Sequence, residues 1–356
     1  MSLLSCKTRT NEITEKKPNI ILIMADDLGY ETIGAYGGSS YQTPNLDLLA
    51  NEGIRFDHCY STPLCTPSRV QIMTGKYNFR NYIGFGLLDP NEKTVGHYMQ
   101  EAGYSPDIFL ESINSFMEKN EESPFFVYYP MALAHDPFVP TPHNQKFNGF
   151  DATSKTNDPL YFGEMVQYMD MIVGKIVAKT EELGIRENTV IIFIGDNGTD
   201  QDVVSIVNGH SLRGDKGNTT DAGTHVPLIV NWKGKIAPKS TNDNLIDFTD
   251  FLPTLLDFSG TKPLNSEALD GLSFYQQLLG DNSNKRDWIF CHYAPNWGQF
   301  KPKRYVQNKK WKLYDNGELY NLEQDIAEEN SLQPANYPKE QEEVITTFKR
   351  VLNQYK

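Results

Sequence analysis

Residues 19–27 have the sequence NIILIMADD, an uninterrupted apolar run that ends in two acidic residues. A short apolar run of this kind predicts a β-strand that is buried on both faces of a sheet. Residues 189–197, TVIIFIGDN, repeat the pattern, with an apolar run followed by Gly195, Asp196 and Asn197. Segments with apolar residues at helical spacing lie between such runs. This alternation predicts an α/β fold with a large, mainly parallel sheet flanked by helices.

The remaining patterns extend this prediction along the chain. Helices are predicted over 43–53, 67–75, 105–120 and 160–184, and further strands over 55–61, 124–130 and 225–232. After residue 285 the pattern changes to one that indicates a small antiparallel sheet, with a hairpin at DNGEL (315–319), and a closing helix. We therefore predict a flexible tail over 1–18, a catalytic α/β domain over 19–285 and a C-terminal subdomain over 286–356.

Composition limits the classes of function. The chain has 356 residues and a net charge of −13, which disfavours binding to nucleic acid. An acidic protein does not attract anions in general, so an anionic substrate would need local cations. No apolar run approaches the length of a transmembrane helix.

The four cysteines, Cys6, Cys59, Cys65 and Cys291, are too few for a disulfide framework. Residues 3–6, LLSC, resemble the end of a bacterial lipoprotein signal, although no charged region and apolar stretch precede them. On this basis we expect an exported protein, either periplasmic or anchored to the cell surface through a lipid on Cys6.

The acidic and amide residues after the two apolar strands predict a metal site. Ligands of parallel sheets bind beyond the carboxyl ends of the strands. If the two strands are neighbours, Asp26, Asp27, Asp196 and Asn197 meet there. Three close carboxylates repel one another unless a cation lies among them, and oxygen ligands indicate Ca²⁺ or Mg²⁺. The alternative is that each acidic pair caps a turn.

Cys65 stands at a predicted helix start, since Pro67 suits the first turn and leaves free backbone N–H groups around it. Such a position attracts anions and is expected to lower the pKa of a thiol. Arg69 lies one helical turn further on the same face. These features fit a cysteine nucleophile as well as other uses of the side chain.

The stretch CTPSR (65–69) resembles the Cys-x-Pro-x-Arg signature of the sulfatase family. The resemblance extends over nearly the whole chain, through PNIILIMADDLGY (18–30), residues 43–77, GDNG (195–198), LRGDKGNTTDAGTHVPLIV (212–230) and GELYNLEQDIAEENSL (317–332). It implies an alkaline-phosphatase-like fold. It also implies that Cys65 is oxidised to formylglycine by a maturation enzyme of the host.

The resemblance assigns roles to matching positions. Asp26, Asp27, Asp196 and Asn197 match the metal ligands, usually around Ca²⁺, and formylglycine 65 would also contact the metal. In the family, one hydroxyl of the hydrated formylglycine attacks sulfur and the other drives the release of sulfate. Arg69 would stabilise this diol, Lys216 matches a sulfate-binding lysine, and His135 matches a histidine near the leaving group.

Four other residues near matching motifs or in the tail carry weaker expectations. His225 and His210 are candidates for substrate binding. His292 and Trp297 could face the substrate, but we favour a packing role for both.

The chain departs from the family between residues 104 and 105. The family has a block of roughly Gly-Lys-Trp-His/Gln-Leu-Gly after the motif matched by MQEAGY (99–104), and its lysine bridges formylglycine and sulfate. Here the next residues resemble a helix that follows much later in the family. We favour the interpretation that a segment has been lost from the sequence at this point. The alternative is a natural variant that lacks one wall of its active site.

These observations predict a metal-dependent sulfatase that hydrolyses a sulfate ester, with a carbohydrate as the favoured substrate. Two alternatives stay open. One is a phosphatase or phosphodiesterase of the same fold, which would use Ser or Thr as the nucleophile. The other is a binding protein for sulfated glycans without catalytic activity.

Overall fold

The computed structural model describes residues 16–107, 113–151, 157–261 and 269–355. Cys6 and most of the predicted tail lie outside these ranges. The strands are β1 Asn19–Ala25, β2 Ile54–Tyr60, β3 Tyr82–Gly84, β4 Leu87–Leu88, β5 Ser105–Asp107, β6 Phe125–Pro130, β7 Thr189–Gly195, β8 Val204–Val207, β9 His210–Arg213, β10 His225–Trp232, β11 Ser240–Asp247, β12 Ile289–Tyr293, β13 Lys303–Gln307, β14 Trp311–Tyr314 and β15 Leu319–Asn321.

The α-helices alternate with these strands. They are α1 Pro44–Asn51, α2 Cys65–Thr74, α3 Val95–Glu101, α4 Ile113–Asn120, α5 Phe162–Glu182, α6 Asp221–Thr224, α7 Phe251–Ser259, α8 Tyr275–Leu278 and α9 Glu342–Gln354. None of the helices within the described ranges is long and apolar enough to cross a membrane.

A seven-stranded sheet forms the centre of the molecule, in the order β11-β2-β10-β7-β1-β6-β5. Within it, β10 runs antiparallel to both of its neighbours, and the other adjacent pairs are parallel. The prediction of a mainly parallel sheet is therefore confirmed. The apolar run of β1 is buried along its whole length, as a central strand requires.

Alternate side chains of β1 enter two separate cores, because successive residues of a strand point to opposite faces. Ile20, Leu22 and Met24 pack in one core with apolar residues of α3, α7 and α8. Ile21 and Ile23 pack in the other core with residues of α1, α4 and α5. The helices therefore cover both faces, and the polar residues that follow each strand are left at the edge of the sheet.

One element differs from its prediction. A single helix was expected over 105–120, whereas Ser105–Asp107 form the edge strand β5, parallel to β6, and the helix α4 begins at Ile113. Pro106 has no N–H to donate, but an edge strand tolerates this because only one side of it is paired. Residues 108–112 lie outside the described ranges.

The C-terminal part contains the predicted antiparallel sheet, in the order β12-β13-β14-β15, and the helix α9. The predicted hairpin joins β14 to β15, with Gly317 at a φ of 92° in its turn. Apolar residues of α9 pack on this sheet together with Tyr77, which lies just after α2. The small sheet is thus attached close to the helix that begins at Cys65.

Candidate active site

The predicted convergence of acidic and amide residues occurs at the carboxyl ends of β1 and β7. The two strands pair in parallel, with Ala25 opposite Gly195, so Asp26 and Asp27 lie beside Asp196 and Asn197. The backbone N–H of Asp27 donates to Asp196 Oδ1 at 3.0 Å, and Asn197 Nδ2 donates to Asp27 Oδ1 at 2.8 Å. The register of two buried strands therefore assembles this group.

The group has the properties of a site for a hard cation. Among the described residues, the buried oxygens Asp26 Oδ1 and Asn197 Oδ1 have no hydrogen-bond partner. Ligand atoms of Asp26, Cys65 and Asp196 lie within 4.8 Å of one another. Burial raises the pKa values of Asp26, Asp27 and Asp196, so their ionised forms need compensating positive charge. Unpaired oxygen donors fit a bound Ca²⁺ or Mg²⁺.

Cys65 is the first residue of α2 and faces this acidic group. Arg69, one turn along the helix, donates through Nε to Asp196 Oδ2 at 2.9 Å, and its Nη2 lies 2.9 Å from Asp26 Oδ2. The guanidinium therefore fixes the start of α2 against the ends of β1 and β7. Its pairing with two carboxylates holds it next to Cys65.

The expectation of a lowered thiol pKa was wrong. Burial, together with the nearby carboxylates of Asp196 and Asp26, raises the pKa of Cys65 to about 12. These effects outweigh Arg69, which acts in the opposite direction. An unmodified Cys65 is thus a neutral thiol at neutral pH, a poor nucleophile in this setting.

Lys216 and His135 complete the cationic side of the site. Lys216 Nζ contacts Asp27 Oδ2 and lies 3.1 Å from His135 Nε2. Burial lowers the pKa values of both groups, but the Asp27 carboxylate and the nearby oxygens of Asp136 together outweigh it, so both pKa values are raised. The loop that carries His135 follows β6 and is bound to Asp26 through the N–H of Ala134 at 2.8 Å.

The structure places the other two predicted histidines away from this group. His225 is 7% exposed, and its ring nitrogens contact Asp221 Oδ2 at 3.2 Å and the carbonyl oxygen of Asp57 at 2.9 Å. Because both nitrogens are engaged within the chain, we no longer assign His225 to substrate binding. His210 is exposed at the start of β9, where it pairs with Val207.

Gly217 connects the two halves of the site and was not identified from the sequence. Its N–H donates to the carbonyl oxygen of Pro63 at 2.9 Å, and its own carbonyl accepts from the hydroxyl of Tyr293 at 2.9 Å. Pro63 lies two residues before Cys65, and Gly217 follows Lys216. The glycine in GDKG could have indicated a position where another part of the chain approaches the backbone closely. No pattern in the C-terminal sequence set Tyr293 apart from the other tyrosines.

Comparison with protein families decides what this site belongs to. The family model described as Sulfatase matches residues 18–108 and 91–261. The chain belongs to the sulfatase family. A second model, N-sulphoglucosamine sulphohydrolase, C-terminal, matches residues 213–356 of this sulfatase.

Individual relatives agree with this assignment. The sulfatase is 29% identical to human arylsulfatase A over 361 aligned positions, covering 78% of this chain and 71% of that one. It is 23% identical to the N-acetylglucosamine-6-O-sulfatase of Bacteroides thetaiotaomicron, covering all of this chain and 90% of that one. The structure of BT4656 in complex with its substrate D-glucosamine-2-N,6-O-disulfate has the same fold, with a TM-score of 0.78 at 20% identity over 96% of this sulfatase and 98% of that chain. The sulfatase is accordingly a sulfuric ester hydrolase.

Proposed function

We propose that this sulfatase hydrolyses a sulfate ester of a carbohydrate, using a formylglycine made from Cys65 and a divalent cation bound by Asp26, Asp27, Asp196 and Asn197. The observation that carries the proposal is the meeting of Cys65, Arg69 and Lys216 with these four residues at one edge of the sheet. The two relatives named for amino-sugar substrates support the carbohydrate.

The formylglycine and the divalent cation would make different contributions to the reaction. The hydrate of formylglycine supplies two hydroxyl groups on one carbon, one to attack sulfur and one to expel sulfate. A bound divalent cation supplies positive charge that stabilises negative charge on the reacting oxygens. We propose Ca²⁺, with Mg²⁺ as the alternative that the same oxygen donors would accept.

The residues of the chain then have separate tasks. Arg69 is held between Asp26 and Asp196 and orients the side chain at position 65. Lys216, on the opposite side of Asp27, provides a cation for the sulfate group in a strongly acidic protein. His135 Nε2 lies beside the Lys216 amine and its side chain is 36% exposed, so it can reach the oxygen of the departing alcohol.

A pair of esters of the same phenol separates this proposal from a phosphatase or phosphodiesterase of the same fold. Protein produced together with a formylglycine-generating enzyme is assayed with 4-nitrophenyl sulfate and 4-nitrophenyl phosphate. We expect faster hydrolysis of the sulfate ester and complete loss of that activity in Cys65→Ala. A faster reaction with the phosphate ester would refute the proposal.

We also propose that a segment is missing from this sequence between Tyr104 and Ser105. The family model matches in two separate pieces, which overlap at residues 91–108. The alignment with the Bacteroides enzyme has 510 positions, although this chain has only 356 residues. The two matched pieces support a break in this region, and the length of the alignment supports the absence of residues without giving their position.

Peptide mapping of the purified protein tests this proposal. We expect no peptide that joins Tyr104 to Ser105, and additional peptides that the sequence does not contain. If the joined peptide is found, the chain lacks one wall of its site. A metal site with little or no turnover is then expected, and the alternative of a non-catalytic protein that binds sulfated glycans is favoured.

Two further expectations belong with the function. Conversion of Cys65 requires a maturation enzyme as a partner of the chain. We retain the proposal that the protein is exported to the periplasm or the cell surface, where polymeric glycans are accessible. Fractionation of cells that express the natural gene tests this location.

A further inference from the structure

Three aromatic rings form a stacked row at the rim of the active site. The ring centroids of Phe85 and Trp297 are 4.6 Å apart at an interplanar angle of 19°, and those of Trp297 and Phe300 are 5.9 Å apart at 22°. Trp297 packs against both other rings, in line with the packing role favoured from the sequence, but it is also 49% exposed. We call Phe85, Trp297 and Phe300 the aromatic row.

Polar contacts fix the aromatic row in place. The hydroxyl of Tyr82, in β3, donates to the carbonyl oxygen of Pro295 at 2.9 Å. Asn296 Nδ2 donates to the carbonyl oxygen of Ile83 at 3.2 Å. These bonds join the β3–β4 hairpin, which carries Phe85, to the loop that carries Trp297. Two distant parts of the chain therefore present one preformed surface.

The aromatic row packs against residues next to Lys216 and next to Cys65, which we call the catalytic group together with Arg69 and His135. The ring of Phe300 fills the space where a Cβ atom at Gly217 would lie, and Gly217 follows Lys216 directly. Phe85 and Phe300 also pack against the cluster that contains Leu64, the residue before Cys65. A substrate held at Cys65 and Lys216 would thus have the aromatic row beside it.

The surroundings of Trp297 suit a ligand with one apolar face and a polar rim. Ile83 and Leu87 of the hairpin are 54% and 59% exposed, so the apolar surface extends beyond the indole. Asn296, Gln299 and Lys301, which are close to Trp297 in the chain, are also exposed. Exposed apolar patches that are surrounded by polar residues often mark ligand-binding sites.

We propose that the aromatic row is the binding platform for the sugar ring of the sulfated substrate, with the C–H groups of a pyranose packed against the exposed part of the Trp297 indole. This inference rests on the proposed sulfatase function and adds the part of the site that recognises the sugar. A pyranose presents a flat set of C–H groups and an equatorial rim of hydroxyls, which matches an exposed indole with amide groups and an ammonium group close to it in the chain. The exposed Lys301 supplies positive charge in this part of the chain for an anionic glycan.

Kinetics with two kinds of ligand test the platform. The substrates are N-acetylglucosamine 6-sulfate and N-acetylgalactosamine 6-sulfate, and inorganic sulfate serves as an inhibitor that needs the catalytic group but no sugar site. For the better sugar substrate, Trp297→Ala should raise KM about tenfold, in the range known for stacking on an aromatic side chain. The inhibition constant of sulfate and kcat should stay unchanged.

Two variants serve as controls. Trp297→Phe keeps an aromatic face and should retain a KM within about twofold of the wild type. Phe147→Ala removes another exposed aromatic ring, 42% exposed, and should leave KM unchanged. An unchanged KM in Trp297→Ala would overturn the platform. So would a weaker inhibition by sulfate in the same variant, because the change would then have reached the catalytic group.

Failure of the function and failure of the platform give different results. If the mature wild type releases no sulfate from any ester, the proposed function fails, and binding alone then tests the platform. Trp297 is the most exposed of the four tryptophans, so a bound sugar should change the intrinsic fluorescence. That change should vanish in Trp297→Phe. A sugar that produces the same change in wild type and variant would overturn the platform.

Discussion

At the scale of single residues, the site buries three carboxyl groups together with two cationic side chains. Asp26, Asp27 and Asp196 face Arg69 and Lys216, and burial raises the pKa of each carboxyl group. Each cation already contacts one or two of the carboxylates. The unpartnered oxygens of Asp26 and Asn197 indicate where additional positive charge would bind.

Asn197, a proposed metal ligand, gives a first prediction. Asn197→Leu removes an oxygen ligand and the donor to Asp27 Oδ1, so the affinity for Ca²⁺ should fall by at least about tenfold. Asn19→Leu is the matched control, because Asn19 is a buried asparagine at the opposite end of β1. Isothermal titration calorimetry with Ca²⁺ and Mg²⁺ measures the effect. Equal affinities in the two variants would argue against Asn197 as a ligand.

His225 and Asp221 give a prediction about pH. Burial disfavours the charged forms of both, but their mutual attraction outweighs it, so the pKa of His225 is raised and that of Asp221 is lowered. The pair therefore stabilises the fold fully between roughly pH 4 and 6.5, the ordinary pKa values, and less as pH rises through the raised pKa of His225.

The variant His225→Gln tests this linkage. The difference in melting temperature between wild type and His225→Gln should be largest near pH 5 to 6 and should narrow towards pH 9. Differential scanning calorimetry across this range measures it, with the exposed His210→Gln as the control. A difference that widens as pH rises would show that His225 is neutral in the folded protein.

At the scale of elements, the site depends on loops that are tied to one another. The loop after β9 carries Lys216, and Gly217 in this loop is bonded both to Pro63, before α2, and to Tyr293, in β12. The ring of Phe300 lies against the same glycine, whose φ is 90°. The separation of Cys65 and Lys216 is therefore set by contacts with the C-terminal sheet.

Tyr293→Phe tests this arrangement by removing one hydrogen bond. Because the bond is worth about 1 kcal/mol, we expect kcat/KM to fall about fivefold and inhibition by inorganic sulfate to weaken. Tyr337→Phe is the control, since the Tyr337 hydroxyl also donates to a glycine carbonyl of the C-terminal part, that of Gly317, away from Lys216. Equal kinetics in both variants would show that Tyr293 has no positioning role.

The sequence predicted elements whose patterns are local and missed contacts between distant residues. The strand at 19–24 and the helix within 160–184 were predicted because their apolar spacing is unambiguous. The edge strand β5 was missed because three residues carry no periodicity of their own. The metal group followed from two strand ends, whereas Tyr293 and the exposure of Trp297 depend on how the C-terminal sheet meets the catalytic part.

At the scale of the whole molecule, a buried lysine joins the C-terminal sheet to the catalytic part. Lys312 in β14 is fully buried and lies 2.8 Å from Glu328. Its ammonium also donates to the carbonyl oxygen of Thr219, in the loop that carries Lys216, and lies 4.0 Å from the centre of the Tyr305 ring. The sheet therefore supports the active site through a fully desolvated cation.

Removal of this cation should destabilise the whole molecule. Lys312→Met leaves Glu328 buried without its partner, at a cost of about 3–5 kcal/mol, and should lower the melting temperature by about 5 to 10 °C. Lys310→Met is the control, because the Lys310–Glu323 pair is exposed and should matter little. The double variant Lys312→Met/Glu328→Gln should recover part of the loss. A small effect of Lys312→Met would show that this ion pair does not hold the C-terminal sheet in place.

The most direct test of the central claim is sulfate release from the two N-acetylhexosamine 6-sulfates by protein whose Cys65 peptide has been shown by mass to carry the aldehyde. The account predicts that this protein releases sulfate and that Cys65→Ala, prepared in the same way, releases none. Equal release by the two proteins would contradict it, because the reaction would then proceed without the side chain around which the site is built.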